Sequence, residues 1–208
     1  MGKIEKIREY YNINNKPNSP DYYILGWESY AAQQIRFQAL VNTLDLNGKK
    51  ILDVGCGTGS FLEYLEKKFC NIRYIGVDIL EHMISIAKSK KLNGEFQCVD
   101  IFKANPFNQN EFDSVFTSGI FNIELGNNKK FLIDALRLFD YISKETISFN
   151  LLDDKSPDRE EEYFYSSPNE ICELININFP DHFKINVVEG YLQNDYTIVC
   201  NKLSVKQQ

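Results

Sequence analysis

The chain has 208 residues, enough for one well-buried core and short for two. With 43% hydrophobic and 25% charged residues it has the mix of an ordinary globular protein, and no apolar run is long enough to span a bilayer. The net charge of −6, with basic residues in short pairs such as Lys67-Lys68, Lys90-Lys91 and Lys129-Lys130, speaks against a broad nucleic-acid surface, which needs clustered Lys and Arg.

Met1 to Tyr10 alternates charge with aliphatics and lacks the apolar stretch of a signal peptide, which predicts a cytoplasmic protein. Ile4 to Tyr11 reads as a short helix, ended by the turn-rich stretch Asn12 to Pro20. Asp21 can cap a second helix running to Thr43, with Ile35, Phe37, Leu40 and Val41 as its apolar positions. From Lys49 the pattern turns to alternating strand and helix. Ile51 to Val54, Ile72 to Val77, Phe96 to Val99, Phe112 to Thr117 and Thr146 to Asn150 read as strands. Helices are predicted at Phe61 to Phe69, Glu81 to Lys91 and Lys129 to Tyr141. Such alternation predicts an α/β, doubly wound, mostly parallel sheet covered on both faces. After a helix opened by Pro168, the strands Phe183 to Val188 and Thr197 to Cys200 have no helix between them, so a C-terminal antiparallel hairpin should complete a seven-stranded sheet. One domain is expected over the whole chain, with residues 1–48 as a helical cap or lid. The five cysteines show neither a C-x-x-C pair nor histidines at metal spacing, so free thiols and no metal are expected.

The chemistry gathers at strand ends. Asp53-Val54-Gly55-Cys56-Gly57-Thr58-Gly59 follows the first strand and opens a helix, and its glycines let the backbone turn sharply and approach a ligand. The spacing is G-x-G-x-G, tighter than the G-x-G-x-x-G that seats pyrophosphate on a helix N-terminus. Asp53, just before it, would repel pyrophosphate but suits a ligand carrying an ammonium group. The next strand ends at Asp78, about twenty residues on, where a carboxylate can accept from both hydroxyls of a ribose or cap a helix. The third ends at Asp100-Ile101, an acceptor for an adenine amino group beside an apolar cover for the ring, or a loop cap.

Ile51 to Gly59, with Asp78 and Asp100 at the following strand ends, closely resembles the class I S-adenosylmethionine-dependent methyltransferases. The similarity runs from Lys49 to Thr117 and more weakly to the C-terminal hairpin. It implies S-adenosylmethionine as cofactor, with the Gly55, Cys56, Gly57 and Gly59 backbone on its methionine part, Asp78 and Ile79 at the ribose, and Asp100 with Ile101 at the adenine. Met83 would border the adenosine, or serve as a helix core residue. The fourth strand, ending Thr117-Ser118-Gly119, would lie beside the sulfonium. Where many relatives carry a histidine this chain has Asn122, so no general base is evident, and His82 and His182 read as surface or packing residues.

Gly26-Trp27 with Gln33, Gln34, Arg36 and Phe37 resembles a poorly characterised bacterial subgroup of that family. Arg36 suits the cofactor carboxylate or, equally, a surface ion pair. The N-terminal aromatics Tyr10, Tyr11, Tyr22, Tyr23, Trp27 and Tyr30 suit either a lid over the site or the cementing of helices onto the sheet. Tyr11, Trp27, Asn122 and Asn150 are the candidate substrate-orienting groups. Asp153-Asp154 and Glu160-Glu161-Glu162, followed by Tyr163-Phe164-Tyr165, form a second variable region, suited to a basic substrate, a metal or plain solvation. These features predict a methyltransferase acting on a small molecule. The alternatives are a protein or nucleic-acid methyltransferase, a non-catalytic S-adenosylmethionine-binding protein and an NAD-dependent enzyme.

Overall fold

The computed structural model describes residues 3–14 and 19–203. Its centre is an eight-stranded sheet with β1 (Lys50–Val54), β2 (Arg73–Asp78), β3 (Glu95–Cys98), β4 (Phe112–Thr117), β5 (Ser143–Asp153), β6 (Tyr165–Ser166), β7 (Phe183–Val188) and β8 (Asp195–Lys202). The strand order is β3-β2-β1-β4-β5-β8-β7, and β6 pairs with the end of β5. Strands β1 to β5 are mutually parallel, whereas β8 runs antiparallel to both β5 and β7. The seven-stranded pattern expected from the sequence is therefore present. The two-residue β6, which pairs with Leu152 and Asp153, is an addition too short to carry a periodicity.

β1 lies between β2 and β4, so the chain builds outward from it in one direction and then in the other. That reversal opens a crevice at the carboxyl ends of β1 and β4, where Asp53 and Thr117 sit. Alternate residues of β1 face opposite layers. Leu52 joins a core with Leu132, Leu136 and Phe139 of α6 (Asn128–Ile142) and Ile171 and Ile175 of α7 (Pro168–Asn178). Ile51 joins the other, with Phe61 and Leu65 of α4 (Ser60–Glu66) and Ile84 of α5 (Glu81–Ser89). Burying each such side chain contributes roughly 1.5–3 kcal/mol. Helix α7 starts where Pro168 predicts, because the Ser167 hydroxyl accepts the Glu170 N–H at 3.2 Å.

The N-terminal part departs from the sequence reading. After α1 (Lys3–Asn14), the single helix expected from Asp21 to Thr43 is two, α2 (Asp21–Ile24) and α3 (Tyr30–Val41). Gly26 at φ +75° breaks the run, and Ser29 restarts it by accepting the Ala32 N–H at 3.1 Å. Asp21 caps nothing: its carboxylate accepts from the Thr58 and Ser60 hydroxyls and from Lys90, pinning α2 to the glycine turn. Lys90 also bonds Glu63 at 2.8 Å and so is not merely solvated. Helix α3 buries Phe37, Leu40 and Val41 against Phe61, Tyr64 and Leu65, making it part of the core beneath the sheet. Part of the turn-rich link between α1 and α2 lies outside the described residues.

Candidate cofactor and acceptor site

A cavity of about 780 Å³ opens at the crevice beyond β1, β2 and β4. Its floor is the glycine turn, which leaves the sheet at Gly55 and Gly57 with φ of +75° and +52°. The positive φ at both positions requires glycine, and the Ile120 and Leu25 side chains pack directly over Gly55 and Gly57. The Gly55 and Cys56 N–H groups donate to the Val77 carbonyl at 2.8 and 3.0 Å, and the Gly57 N–H donates to Asp78 at 3.0 Å. These amides are therefore turned to β2 and do not form a nest for an anion such as pyrophosphate.

Asp53, Asp78 and Asp100 all line this cavity, as do Gly55, Cys56, Gly57, Ile79, Met83 and Ile101. Asp53 is buried and accepts the Tyr74 hydroxyl at 2.5 Å. Burial pushes its carboxyl up to about 7, the Tyr74 bond acts in the other direction, and Asp78 adds to the rise. Asp78 also accepts the Leu80 N–H at 2.9 Å, and burial raises its carboxyl against these backbone bonds. Asp100 accepts the Phe102 and Lys103 N–H groups at 3.1 and 3.2 Å, so it closes its loop while facing the cavity. Met83 is packed with Ile24 and Leu80 and lines the cavity as well, combining the two roles the sequence allowed. Gly59 starts α4 from behind the turn and is not in the wall.

Helix α1 forms the roof through Ile4, Ile7, Arg8 and Tyr11. It is fastened by the Tyr10 hydroxyl to the Tyr163 hydroxyl at 2.8 Å and by Lys6 to the Glu124 carbonyl at 2.5 Å. Trp27 stands at the cavity wall, its ring edge against Gly119 and its face under the Arg36 guanidinium at 4.5 Å. The other N-terminal rings divide: Tyr22, Tyr23 and Tyr30 are in no wall of the site, and Tyr23 and Tyr30 are exposed.

Besides Gly59, the expected residues Arg36, Thr117, Asn122 and Asn150 also stand outside this cavity's wall. Arg36 is not at the surface either. It is buried and makes a two-pronged ion pair with Asp195, Nε to Oδ1 at 3.0 Å and Nη2 to Oδ2 at 2.5 Å, which ties α3 to β8. The Thr117 hydroxyl is buried within the sheet, and Ser118 and Gly119 form the wall in its place because the strand ends there. Asn150 is one layer back. Its amide oxygen accepts the Gly119 N–H at 3.1 Å and its nitrogen donates to the Ser118 hydroxyl at 3.0 Å, so it holds the loop that lines the site. His182 bonds Asp140 at 2.7 Å, and neither histidine lines the cavity. The sequence reading missed Asp21 as the brace of the turn and Leu25 and Ile120 as its covers. None belongs to a motif, and each acts across a long stretch of chain.

Residues 51–139 match a family model described as a methyltransferase domain. The malonyl-acyl-carrier-protein O-methyltransferase of Acetivibrio thermocellus is 34% identical over 119 residues, 53% of this chain and 41% of that protein. The chain thus spans less than half the length of that relative. Among solved structures, the DhpI–SAH complex superposes with a TM-score of 0.70 at 16% identity, covering 98% of both chains. The cyclase SpnF superposes at 0.63 with 16% identity, covering 83% of this chain and 82% of that one. An open sheet of this order, a glycine turn whose amides face β2, and a methyltransferase-domain match over residues 51–139 are what this chain shares with the class I S-adenosylmethionine-dependent methyltransferases.

Proposed function

We propose that the chain transfers the methyl group of S-adenosylmethionine to a small molecule. The observation that carries this reading is the joining of Asp53, Asp78 and Asp100 with the glycine turn in one largely apolar cavity roofed by α1. Asp53 would meet the cofactor's ammonium group, Asp78 its ribose hydroxyls and Asp100 with Ile101 its adenine. The sulfonium would then lie beside Ser118 and Gly119, held in place by Asn150. Methyl transfer is an in-line displacement with a neutral leaving group. Alignment of the acceptor in a closed, dry site can therefore supply much of the rate, without a strong base. The phenols of Tyr10, Tyr11 and Tyr163 are all pushed up by burial, so they remain neutral hydrogen-bonding groups.

The malonyl-acyl-carrier-protein enzyme and the ubiquinone-biosynthesis O-methyltransferase of Coxiella burnetii match 53% and 32% of this chain, so they support methyl transfer without naming the acceptor. A cyclase on the same fold makes transfer itself the property to measure. Methyl-labelled S-adenosylmethionine should be incubated with the chain and a bacterial extract divided by ultrafiltration. Label is expected in a new small-molecule product, resolved by chromatography from the unreacted donor. Label confined to the retained protein or nucleic acid would overturn the small-molecule reading.

A further inference from the structure

Beyond Trp27 lies a second, smaller cavity of about 160 Å³. It shares Tyr11, Leu25, Trp27, Gly119 and Ile123 with the cofactor cavity, so the loop expected beside the sulfonium is their common wall. Its space equals about five water molecules at ~30 Å³ each, the size of a substrate head group. Among the described residues, three residues of its wall each carry a buried polar side-chain atom with no hydrogen-bond partner: Asn122 Oδ1, Ser156 Oγ and Arg36 Nη1. Their residues are 9%, 6% and 3% exposed, and buried polar groups are ordinarily hydrogen-bonded, so three unpaired groups gathered around one small space suit a polar occupant.

Resting on the methyl-transfer reading, we propose that this cavity is the acceptor pocket and that it takes a small primary or secondary amine. The charge favours that class. Glu28, Asp158 and Glu160 line the cavity against one cation, Arg36, whose charge the two-pronged pair with Asp195 offsets. Arg159 lies 4.9 Å from the Tyr165 ring centroid and is not in the wall. Five aromatic rings, from Tyr10, Tyr11, Trp27, Tyr163 and Tyr165, complete the lining, and ring faces attract ammonium groups and repel carboxylates. Asn122 Oδ1 accepts one N–H of the neutral amine and so aims the nitrogen lone pair toward the Gly119 wall. Arg36 Nη1 donates to an oxygen elsewhere on the acceptor.

The lone pair attacks the methyl carbon, the carbon–sulfur bond breaks, and its electrons pass to sulfur, leaving a neutral thioether. The methylated nitrogen, now positive, releases its proton to water at the rim bordered by Asp158 and Glu160. No base acts during the displacement, which agrees with the absence of a histidine from both walls.

The test uses the full chain saturated with S-adenosylhomocysteine, titrated by ligand-observed NMR with butylamine and phenethylamine and with the alcohol and carboxylate of each skeleton. The amines are expected to bind at least tenfold more tightly than their alcohols or carboxylates. Asn122→Leu should weaken the amines about tenfold. The exposed-rim variant Asp158→Asn/Glu160→Gln, which leaves the core untouched, should weaken them several-fold. Equal or tighter binding of an alcohol or carboxylate, or no amine binding to the loaded protein, would overturn the amine assignment alone. Failure of S-adenosylhomocysteine to bind would overturn the methyl-transfer reading and this proposal together.

Discussion

Asp53 and Asp78 stand at neighbouring strand ends, yet their surroundings give them different work. Asp53 is enclosed in the sheet with Tyr74 and is raised to about 7, so the unliganded protein holds it protonated through mildly acidic pH. In an unfolded chain a carboxyl of this kind titrates near 3.9. The folded state therefore binds the extra proton between these values, and the stability it contributes is full below the lower one and lost as pH rises through about 7. Asp53→Asn cannot ionise, so denaturant titrations should show the variant gaining on the parent between about pH 4 and pH 8. A parallel pH dependence in the two proteins would mean that Asp53 titrates normally. Asp78 is held by the Gly57 and Leu80 N–H groups, each on a different carboxylate oxygen, which leaves lone pairs for two hydroxyls. Asp78→Ala should weaken cofactor binding by about 1.5–3 kcal/mol, the range for charged hydrogen bonds. Asp78→Asn retains an acceptor for Gly57 and should lose part of that. Calorimetric affinity unchanged in both folded variants would leave Asp78 as a brace of the turn.

The N-terminal segment is two devices and not one. Helices α2 and α3 belong to the structure beneath: Asp21 grips Thr58 and Ser60, Leu25 covers Gly57, and α3 buries its apolar face. Helix α1 instead roofs the cavity; long-range polar contacts from Tyr10 and Lys6 help to hold it, and Tyr11 packs against Ile24, Leu80 and Met83. None of its described residues is fully buried, and a terminal helix of this kind opens at lower free-energy cost than the sheet beneath it. Deleting residues 1–18 should therefore leave a folded domain by circular dichroism, with at least tenfold less methyl transfer because water enters the site. Full activity in the truncated chain would show that α1 is no lid, and global unfolding would show that it is a strut.

Across the whole molecule, what could be read from sequence was what adjacent residues decide. The alternation of β-branched and aromatic strands with amphipathic helices, and the glycine turn with an acid at each following strand end, are local patterns, and they point to a mostly parallel sheet finished by an antiparallel hairpin. The pairings that finish the site are not local. Arg36 meets Asp195 across 159 residues, Tyr10 meets Tyr163 across 153, and Thr58 meets Asp21 across 37. An arginine near a glycine turn reads the same in sequence whether its partner is a ligand or a distant aspartate, which is why Arg36 was expected at the cofactor. Likewise the break at Gly26 is set by the fit of Leu25 and Trp27 over the site, and helix periodicity alone passes through it.

The glycine turn, with its amides turned to β2, is suited to an adenosyl sulfonium and not to a dinucleotide. Thermal melting of the full chain with S-adenosylmethionine, S-adenosylhomocysteine or NAD at equal concentration tests it directly, since a ligand that binds only the folded state raises the melting temperature. Either adenosyl ligand should raise it by several degrees while NAD leaves it unchanged. An equal rise with NAD, or none with either adenosyl ligand, would contradict the account.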